Sequence, residues 1–363
     1  MRKALLILSV VIMFSGCGGG GSDNGGSGTV NPAVTIPLLA NGTHYGIIDE
    51  ATAPAGAFGE CITRGQSIYE LSPNWNELES TEGNFTLATF TNQLQTTKAA
   101  GLVPYVVIRT VNTTEIEAPA YLMDGGDPNN FIDDHFSAAR VITRFKALLD
   151  QVVPLIVQND GFAISVSNEV DIWLSANPDE LSHFLTFLRQ AREHIHSINP
   201  NIAVGATFTY EGLRDHYTMV SQIAAESDVV FFSYYPMSSG DVISPAQVAT
   251  HMDEISNLAG FKQILIQECG FPSSATVGSS EELQRQWVEN LFTAVAARPR
   301  IRMVNIVHLA DWTTAQVDTF VGYYDNADPK FRAFLDSLGL HDQAGNPKTA
   351  YAQFLTGLDT YAP

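Results

Sequence analysis

Residues 162–171 read FAISVSNEVD, and the alternation in this stretch indicates a β-strand with two different faces. Large apolar residues at 162, 164 and 166 alternate with small residues at 163, 165 and 167. Alternate side chains of a strand point to opposite faces, and a face of small side chains fits the crowded interior of a closed barrel. Glu169 shares the small face and stands where the strand ends.

Similar short apolar runs, rich in Val and Ile, recur along the chain and alternate with stretches of helical period. Strands that alternate with helices favour a parallel sheet, and eight such units predict an α/β fold of the (β/α)₈ (TIM) barrel type in a single domain. A doubly wound open sheet is the alternative, but no Gly-rich GxGxxG turn follows an early strand. The predicted strands are residues 43–48, 66–71, 103–110, 162–169, 202–208, 228–235, 262–268 and 302–308.

The composition is that of a globular protein with an acidic surface. Hydrophobic residues make up 45% and charged residues 16% of the 363 residues, a balance that allows a large core. The formal net charge of -20 at pH 7 repels phosphate backbones, so nucleic acid is excluded as a partner. No cofactor motif is visible, and we expect a monomer without a metal or a cofactor.

The first 36 residues predict an export signal and a tether. Residues 1–16 place two basic residues before a short apolar run, which is typical of a signal peptide and too short to span a bilayer. Residues 14–17, FSGC, resemble a bacterial lipobox, so Cys17 is expected to carry lipid. Residues 17–36 begin with a Gly/Ser-rich coil that suits a flexible tether before a catalytic domain at residues 37–363.

These features predict an extracytoplasmic protein of the bacterial cell envelope, attached to a membrane only through its lipid. The outer membrane is favoured because Gly18, and no aspartate, follows Cys17. Cleavage of the signal followed by release of the protein is the alternative.

Two glutamates stand where predicted strands end. Glu169 ends the fourth strand, and Glu268 ends the seventh, in KQILIQECGFP at residues 262–272. The two residues are 99 positions apart, or three strand–helix units, so in a barrel both face the same mouth. Retaining glycosidases need two carboxyl groups about 5 to 5.5 Å apart, one to protonate the leaving oxygen and one to attack the anomeric carbon. A structural alternative is that such a glutamate only balances a buried Arg109, at the end of the third strand.

The residues around this pair resemble those of the clan A glycoside hydrolases, a large group of retaining (β/α)₈ enzymes. Asn168 and Glu169 match the Asn-Glu motif on strand four of that clan, and Glu268 matches the nucleophile on strand seven. The resemblance implies that Glu169 is the acid/base, that Glu268 is the nucleophile and that Asn168 holds the sugar 2-hydroxyl.

Further segments extend the resemblance over nearly the whole folded region. FFSYYP, residues 231–236, offers Tyr234 and Tyr235 for the clan's strand-six tyrosine, which hydrogen-bonds the nucleophile. HLADW, residues 308–312, offers Trp312 for the tryptophan under the sugar. Residues 75–85 resemble the clan's segment after strand two, with Ser80 where Pro is usual, and residues 339–354 resemble the closing helix.

The resemblance implies a retaining β-glycoside hydrolase that acts on a poly- or oligosaccharide through a covalent glycosyl-enzyme. The SYYP stretch is similar to that of endo-β-1,4-galactanases, although Ser167 and Cys269 depart from their pattern. The acidic charge favours a neutral glycan. A transglycosylase with the same site and a surface glycan-binding lipoprotein without turnover are the alternative functions.

Other residues are predicted to bind the substrate. Trp75, Trp173 and Trp312 each follow a strand, where they either contact sugar rings or pack under a loop. Arg109 is expected to line the floor of the site, lower the pKa of Glu268 and keep that carboxyl ionised. His308, near the end of strand eight, is expected to donate to the substrate. Cys61 and Cys269 are interpreted as small buried residues, with a disulfide as the alternative.

Overall fold

A computed structural model describes residues 42–49, 53–125, 127–133 and 135–363. The predicted signal peptide, the tether and Cys17 lie outside these residues. No helix within the described part of the chain is long and apolar enough to cross a membrane.

Parallel strands form the predicted barrel and follow the order of the chain. They are β1 His44–Ile47, β2 Ile68–Leu71, β3 Val103–Val107, β4 Ala163–Ser165, β5 with two segments Ala203–Gly205 and Thr207–Thr209, β6 Val230–Tyr234, β7 Ile264–Cys269 and β8 Ile301–Ile306. The first segment of β5 continues a sheet through β4 and β3 to β2, and the second continues one through β6, β7 and β8 to β1. Ser67 N donates to Tyr45 O at 3.0 Å, which closes the ring between β2 and β1.

Helices surround the barrel and form additional elements at its mouth. They are α1 Ala57–Thr63, α2 Trp75–Leu78, α3 Ala88–Ala99, α4 Ala139–Gln158, α5 Val170–Ala176, α6 Leu181–Ile198, α7 Tyr210–Asp215, α8 Tyr217–Glu226, α9 Val248–Ala259, α10 Glu281–Ala296, α11 Thr314–Tyr323, α12 Pro329–Leu335 and α13 Thr349–Tyr361. Short 3₁₀ helices occupy Ala120–Leu122, Pro178–Glu180, Pro245–Gln247 and Ala275–Val277. Two-stranded hairpins pair Glu79–Thr81 with Asn84–Phe85, Val111–Asn112 with Glu115–Ile116, Met123–Asp124 with Asp127–Phe131, and Met237–Ser238 with Asp241–Val242.

The core has two layers, as the alternation in the fourth strand predicts. Ala163 belongs to the inner cluster, which fills the barrel with side chains such as Ile68 and Leu265. Ile164 and Val166 belong to the outer cluster, where the strands meet the apolar faces of the helices. Cys61 and Cys269 are buried and not joined in a disulfide, as interpreted from the sequence.

A buried ion pair attaches the C-terminal segment to the loop after β8. Lys348 Nζ lies 2.7 Å from Asp311, and both side chains are almost fully buried. Lys348 also donates to Ser273 Oγ at 3.0 Å and to the carbonyl of Ser337 at 3.2 Å. This cluster connects the loops that follow β7 and β8 with the start of α13.

Candidate active site

Glu169 lies at the start of α5, four residues beyond the last residue of β4. Its backbone is left-handed, with φ 47° and ψ 42°, a conformation uncommon for residues other than glycine. Thr113 Oγ1 donates to Glu169 Oε2 at 2.8 Å. The buried Asp171 accepts hydrogen bonds from Thr209 N and Oγ1 at 2.9 and 2.7 Å, which fixes α5 against the end of β5.

Burial sets the protonation of Glu169. Removal from water raises the pKa of the Glu169 carboxyl, the neighbouring Asp171 raises it further, and the hydrogen bond from Thr113 opposes this rise. A carboxyl group with a raised pKa keeps its proton at higher pH than an exposed glutamate does, as a general acid must.

Glu268 lies on β7 and accepts hydrogen bonds at both oxygens. Tyr235 Oη donates to Oε2 at 3.0 Å, and Gln267 Nε2 donates to Oε1 at 3.3 Å. Burial raises the pKa of Glu268 to about 8, with further contributions from the charges of Glu70 and Glu169. Tyr235 and Arg109 oppose this rise.

Arg109 therefore changes the pKa of Glu268 in the predicted direction, but other groups change it more. Its charge lowers the pKa of Glu268, as predicted, yet burial and two neighbouring carboxylates outweigh that effect, so Arg109 does not keep this pKa in its ordinary range. Arg109 forms no ion pair with a carboxylate of the described residues, and its buried Nε has no hydrogen-bond partner there. The alternative of a purely structural buried ion pair does not fit this arrangement.

A chain of side-chain amides runs from Glu268 through Gln267 to Asn168, the residue before Glu169. Thr207 Oγ1 donates to Gln267 Oε1, so the amide nitrogen of Gln267 is the donor toward Asn168 Oδ1 at 3.0 Å and toward Glu268. Asn168 Nδ2 in turn donates to Asn112 Oδ1 at 3.2 Å. The amide of Asn168 is thereby oriented with one N–H hydrogen left for a ligand. Gln267 was missed in the sequence, although it directly precedes Glu268.

The two adjacent tyrosines of the sixth strand point to different layers. Tyr235 contacts Glu268, as described above. Tyr234 is fully buried, its hydroxyl is 2.8 Å from His251 Nδ1, and its ring packs near Trp287. The prediction that Tyr234 binds substrate is wrong, because adjacent strand residues alternate in direction and Tyr234 faces the helices.

A third carboxyl group, Glu70 on β2, also belongs to the site and was missed. Tyr105 Oη donates to Glu70 Oε2 at 2.6 Å, and Asn305 Nδ2 donates to the same oxygen at 3.4 Å. Burial raises the pKa of Glu70 to about 7, while Tyr105 and Arg109 are among the groups that lower it. The available signal was an acidic residue at an inward position of an apolar strand, two residues after Ile68.

The three predicted tryptophans differ in exposure. Trp312 is half-buried and stacks on Phe320, with ring centroids 4.3 Å apart and an interplanar angle of 9°. His308 is 4% exposed and its ring centroid is 4.3 Å from that of Trp312. His308 thus supports the indole, and its donation to a substrate stays a prediction.

The other two tryptophans are packing residues. Trp75 is fully buried, donates from Nε1 to Glu79 Oε2 at 3.4 Å and packs edge-on against Phe145, so its predicted sugar contact is wrong. Trp173 is 3% exposed and packs edge-on against Phe136 at 5.5 Å, which leaves almost no surface for a sugar. A groove of about 330 Å³ adjoins α5 and is lined by Trp173 and by polar side chains that include Asn129, Asn177 and Glu180.

The arrangement provides one acid in a buried setting, one carboxyl group held by two donors, an oriented amide and a cation, all at the same mouth. This set can transfer a proton at one position and attack an electrophilic carbon at another. No cluster of three or more potential metal ligands occurs among the residues that the structure describes.

No protein-family model matches the sequence, and no curated protein matches it. The fold is similar to solved structures. A GH5_18 variant from Bifidobacterium longum subsp. longum in complex with Manβ1-4GlcNAc has a TM-score of 0.68 and 14% identity, covering 88% of this chain and 78% of that chain.

Two further solved structures are similar. An exo-β-1,4-mannosidase from Opitutaceae bacterium strain TAV5 has a TM-score of 0.66 and 14% identity, covering 87% of this chain and 59% of that chain. Xylanase XynB from Paenibacillus barcinonensis, complexed with a conduramine derivative, has a TM-score of 0.60 and 15% identity, covering 90% and 99% of the two chains. Such likeness confirms the single-domain barrel predicted from the sequence.

Proposed function

We propose that this protein is a retaining β-glycoside hydrolase of the clan A type. The observation that carries the proposal is the pair Glu169, after β4, and Glu268, near the end of β7, which lie at one mouth of the barrel with separate hydrogen-bond donors. The similar solved structures include a mannosidase and a xylanase, which supports the same class of reaction for this chain.

In the proposed mechanism Glu169 protonates the departing glycosidic oxygen, and the raised pKa of its buried carboxyl keeps the required proton in place. Glu268 attacks the anomeric carbon and forms a covalent glycosyl-enzyme. Glu169, now ionised, removes a proton from water, which releases the sugar with its original anomeric configuration. Asn168 donates from its remaining N–H hydrogen to the sugar 2-hydroxyl.

Glu268 must be ionised in order to attack. Donation from Tyr235 and Gln267 stabilises the anion, while burial raises its pKa to about 8. The acidic limb of the kcat/KM profile reports the ionisation of this nucleophile in the free enzyme. We therefore expect the acidic limb of this profile to lie at higher pH than the ordinary pKa of a glutamate would place it.

The proposed substrate is a neutral β-linked glycan. The net charge of -20 and the three carboxyl groups near Arg109 disfavour a polyanionic chain. The GH5_18 neighbour is solved with Manβ1-4GlcNAc, a neutral disaccharide, which supports this choice.

We also propose that the mature protein begins at a lipidated Cys17 and acts in the bacterial cell envelope.

A panel of aryl β-glycosides and β-linked oligosaccharides tests the proposed activity. We expect wild-type protein to release sugar from at least one neutral substrate and Glu268→Gln to lose at least 10³-fold in kcat. Glu193→Gln, at an exposed position of α6, is the matched control and should retain full activity. Saturable binding of a glycan without any product would contradict the proposal and favour a binding protein.

A further inference from the structure

Three pairs of consecutive residues meet at the mouth of the barrel beside Glu169. They are Asn168–Glu169 after β4, Asn112–Thr113 in the hairpin after β3 and Tyr323–Tyr324 at the end of α11. The backbone of Thr113 donates to the carbonyl oxygen of Asn168 at 3.0 Å, and the backbone of Asn168 donates to that of Val111 at 2.9 Å. The hairpin is therefore held against the backbone that directly precedes Glu169.

Thr113 and Glu169 both have left-handed backbones, with φ values of 54° and 47°. A β-branched residue is rare in this region of backbone space. Residues with such backbones cluster at functional sites, where the surrounding structure holds them in place. Here the conformation accompanies a hydrogen bond of 2.8 Å from Thr113 Oγ1 to Glu169 Oε2. The carboxyl group of Glu169 thus receives its donor from a residue with a fixed backbone.

The hydroxyl of Tyr324 extends this contact by one hydrogen bond. Thr113 has a single hydroxyl hydrogen, which it donates to the ionised Glu169, so Tyr324 Oη, 3.3 Å from Thr113 Oγ1, is then the donor to Thr113. Burial and the charges of Glu169 and Glu268 raise the pKa of Tyr324, against the opposing effect of Arg109, so this hydroxyl keeps its hydrogen. When Glu169 carries a proton on Oε2, the chain can run in reverse, since each hydroxyl both donates and accepts.

We propose that Tyr324 is a positioning residue that acts on the acid/base Glu169 through the hydroxyl of Thr113. This proposal rests on the proposed function. Donation from Tyr324 polarises the Thr113 hydroxyl and strengthens its hydrogen bond to the ionised Glu169. The stronger bond favours the ionised carboxyl, which is the form that removes a proton from water in the second step of the reaction.

Other titratable groups near Glu169 act on it without these hydroxyls. Asp171 on α5 raises the pKa of Glu169. The charge of Glu169 in turn raises the pKa of Glu211 on α7, of Glu268 on β7 and of Tyr235 after β6. All four groups remain when a hydroxyl beside Glu169 is removed, so a change in the pKa of Glu169 can be assigned to that hydroxyl.

Hydrolysis of the glycosyl-enzyme isolates the titration of Glu169. Once Glu268 is esterified by the sugar it no longer titrates, so the acidic limb of this step reports the ionisation of the base Glu169. The aryl β-glycoside that the wild-type protein cleaves best identifies the sugar, and the dinitrophenyl 2-deoxy-2-fluoro-β-glycoside of that sugar traps the intermediate. Intact-protein mass spectrometry verifies the adduct. After removal of the reagent, the recovery of activity is measured at each pH.

Two substitutions should move the acidic limb of recovery to higher pH by different amounts. Thr113→Ala removes the direct donor and raises the pKa of Glu169, so we expect a shift of about one unit. Tyr324→Phe keeps the ring and the Thr113 hydroxyl, and its shift should be about 0.3 unit, because an indirect donor contributes only a fraction of the bond it strengthens. Thr113→Ser retains the hydroxyl and should retain the wild-type limb.

The combination of both substitutions tests the route through Thr113. Tyr324→Phe added to Thr113→Ala should produce no further shift, because the hydroxyl through which Tyr324 acts is already absent. Tyr323→Phe is the matched control. It removes a hydroxyl from the adjacent residue, which contacts Asn112 and Glu117, and it should leave the limb in place.

The outcomes separate this proposal from the proposed function. A limb that stays in place in Tyr324→Phe, or moves as far in Tyr323→Phe, would overturn the role of Tyr324 and leave the hydrolase intact. An additive shift in the double variant would overturn the route through Thr113. A wild-type protein that cleaves aryl glycosides but forms no adduct would contradict the covalent intermediate, and with it both proposals.

Discussion

At the residue scale, Glu70 influences the pKa of Glu268 and is itself hydrogen-bonded to Tyr105 inside the barrel. The Tyr105 hydroxyl has one hydrogen but faces two acceptors, Glu70 Oε2 at 2.6 Å and the carbonyl oxygen of Gln267 at 2.9 Å. The single hydrogen is shared between these two acceptors, and its donation to Glu70 favours the ionised carboxyl. Burial outweighs this effect and raises the pKa of Glu70 to about 7.

Replacement of Glu70 is expected to move the pH dependence of activity. Above pH 7 Glu70 is ionised, and its charge raises the pKa of Glu268. Glu70→Gln removes that charge, so the pKa of Glu268 falls and the acidic limb of the kcat/KM profile moves to lower pH by about one unit. Glu193→Gln, which removes a surface charge, should leave the profile in place. An unchanged or upward-shifted limb in Glu70→Gln would show that Glu70 does not influence the nucleophile.

The residue scale is also where sequence reasoning succeeded and failed most clearly. Glu169, Glu268 and Tyr235 could be located because each stands where a predicted strand runs out, and the structure brings them to one mouth. Trp75 could not be assigned from its position alone, because a short helix turns its ring beneath the loop. Glu70 was missed although alternation puts it on the inner face of β2 with Ile68, because it lies within the strand and not at the exit where barrel active-site residues are expected.

At the element scale, the strands were predictable and the connections above them were not. Alternation and Val/Ile content locate all eight barrel strands, since these patterns follow from burial on both faces. The segment at residues 312–338, which contains α11 and α12, has no such pattern, and its position depends on contacts with distant residues such as Asn112 and Asp241. Long-range hydrogen bonds of this kind leave no periodic signal in the sequence.

Trp312 lies between β8 and α11, and its removal should affect catalysis. Trp312→Ala loses both the indole surface toward the site and the stack on Phe320, so we expect kcat/KM to fall about 10²-fold, or about 2.7 kcal/mol of transition-state stabilisation. Trp312→Phe retains an aromatic ring against Phe320 and should lose much less. Circular dichroism would verify that both variants are folded. Wild-type kinetics in Trp312→Ala would locate this residue outside the sugar site.

At the scale of the whole molecule, the buried Lys348–Asp311 ion pair holds the C-terminal helix α13 against the loop after β8. Lys348→Met leaves Asp311 buried without its cation, and we expect the free energy of unfolding to fall by about 3 kcal/mol. Lys98→Met is the matched control, because the Lys98–Asp160 pair at 2.9 Å is largely exposed and contributes less than about 1 kcal/mol. Urea denaturation measures both variants. Equal losses would mean that the buried pair stabilises no more than a surface pair does.

The proposed anchor is a property of the whole chain that can be tested separately from the barrel. Cys17→Ala removes the site of lipid attachment, so we expect an active protein that no longer sediments with membranes. One acyl chain gives only marginal binding, and we therefore expect several on the wild-type residue. Wild-type protein that is soluble after fractionation and carries no lipid by mass spectrometry would contradict the anchor.

The most direct test of the central claim is the anomeric configuration of the products that azide forms with the two glutamate variants. Glu169→Ala can still be glycosylated by a dinitrophenyl β-glycoside, whose leaving group needs no proton, and azide then attacks the intermediate and gives the β-glycosyl azide. Glu268→Ala cannot form the intermediate, so azide attacks directly and gives the α-azide or no product. The α-azide from Glu169→Ala together with the β-azide from Glu268→Ala would reverse the two roles. Release of the inverted sugar by the wild-type protein would contradict the retaining mechanism itself.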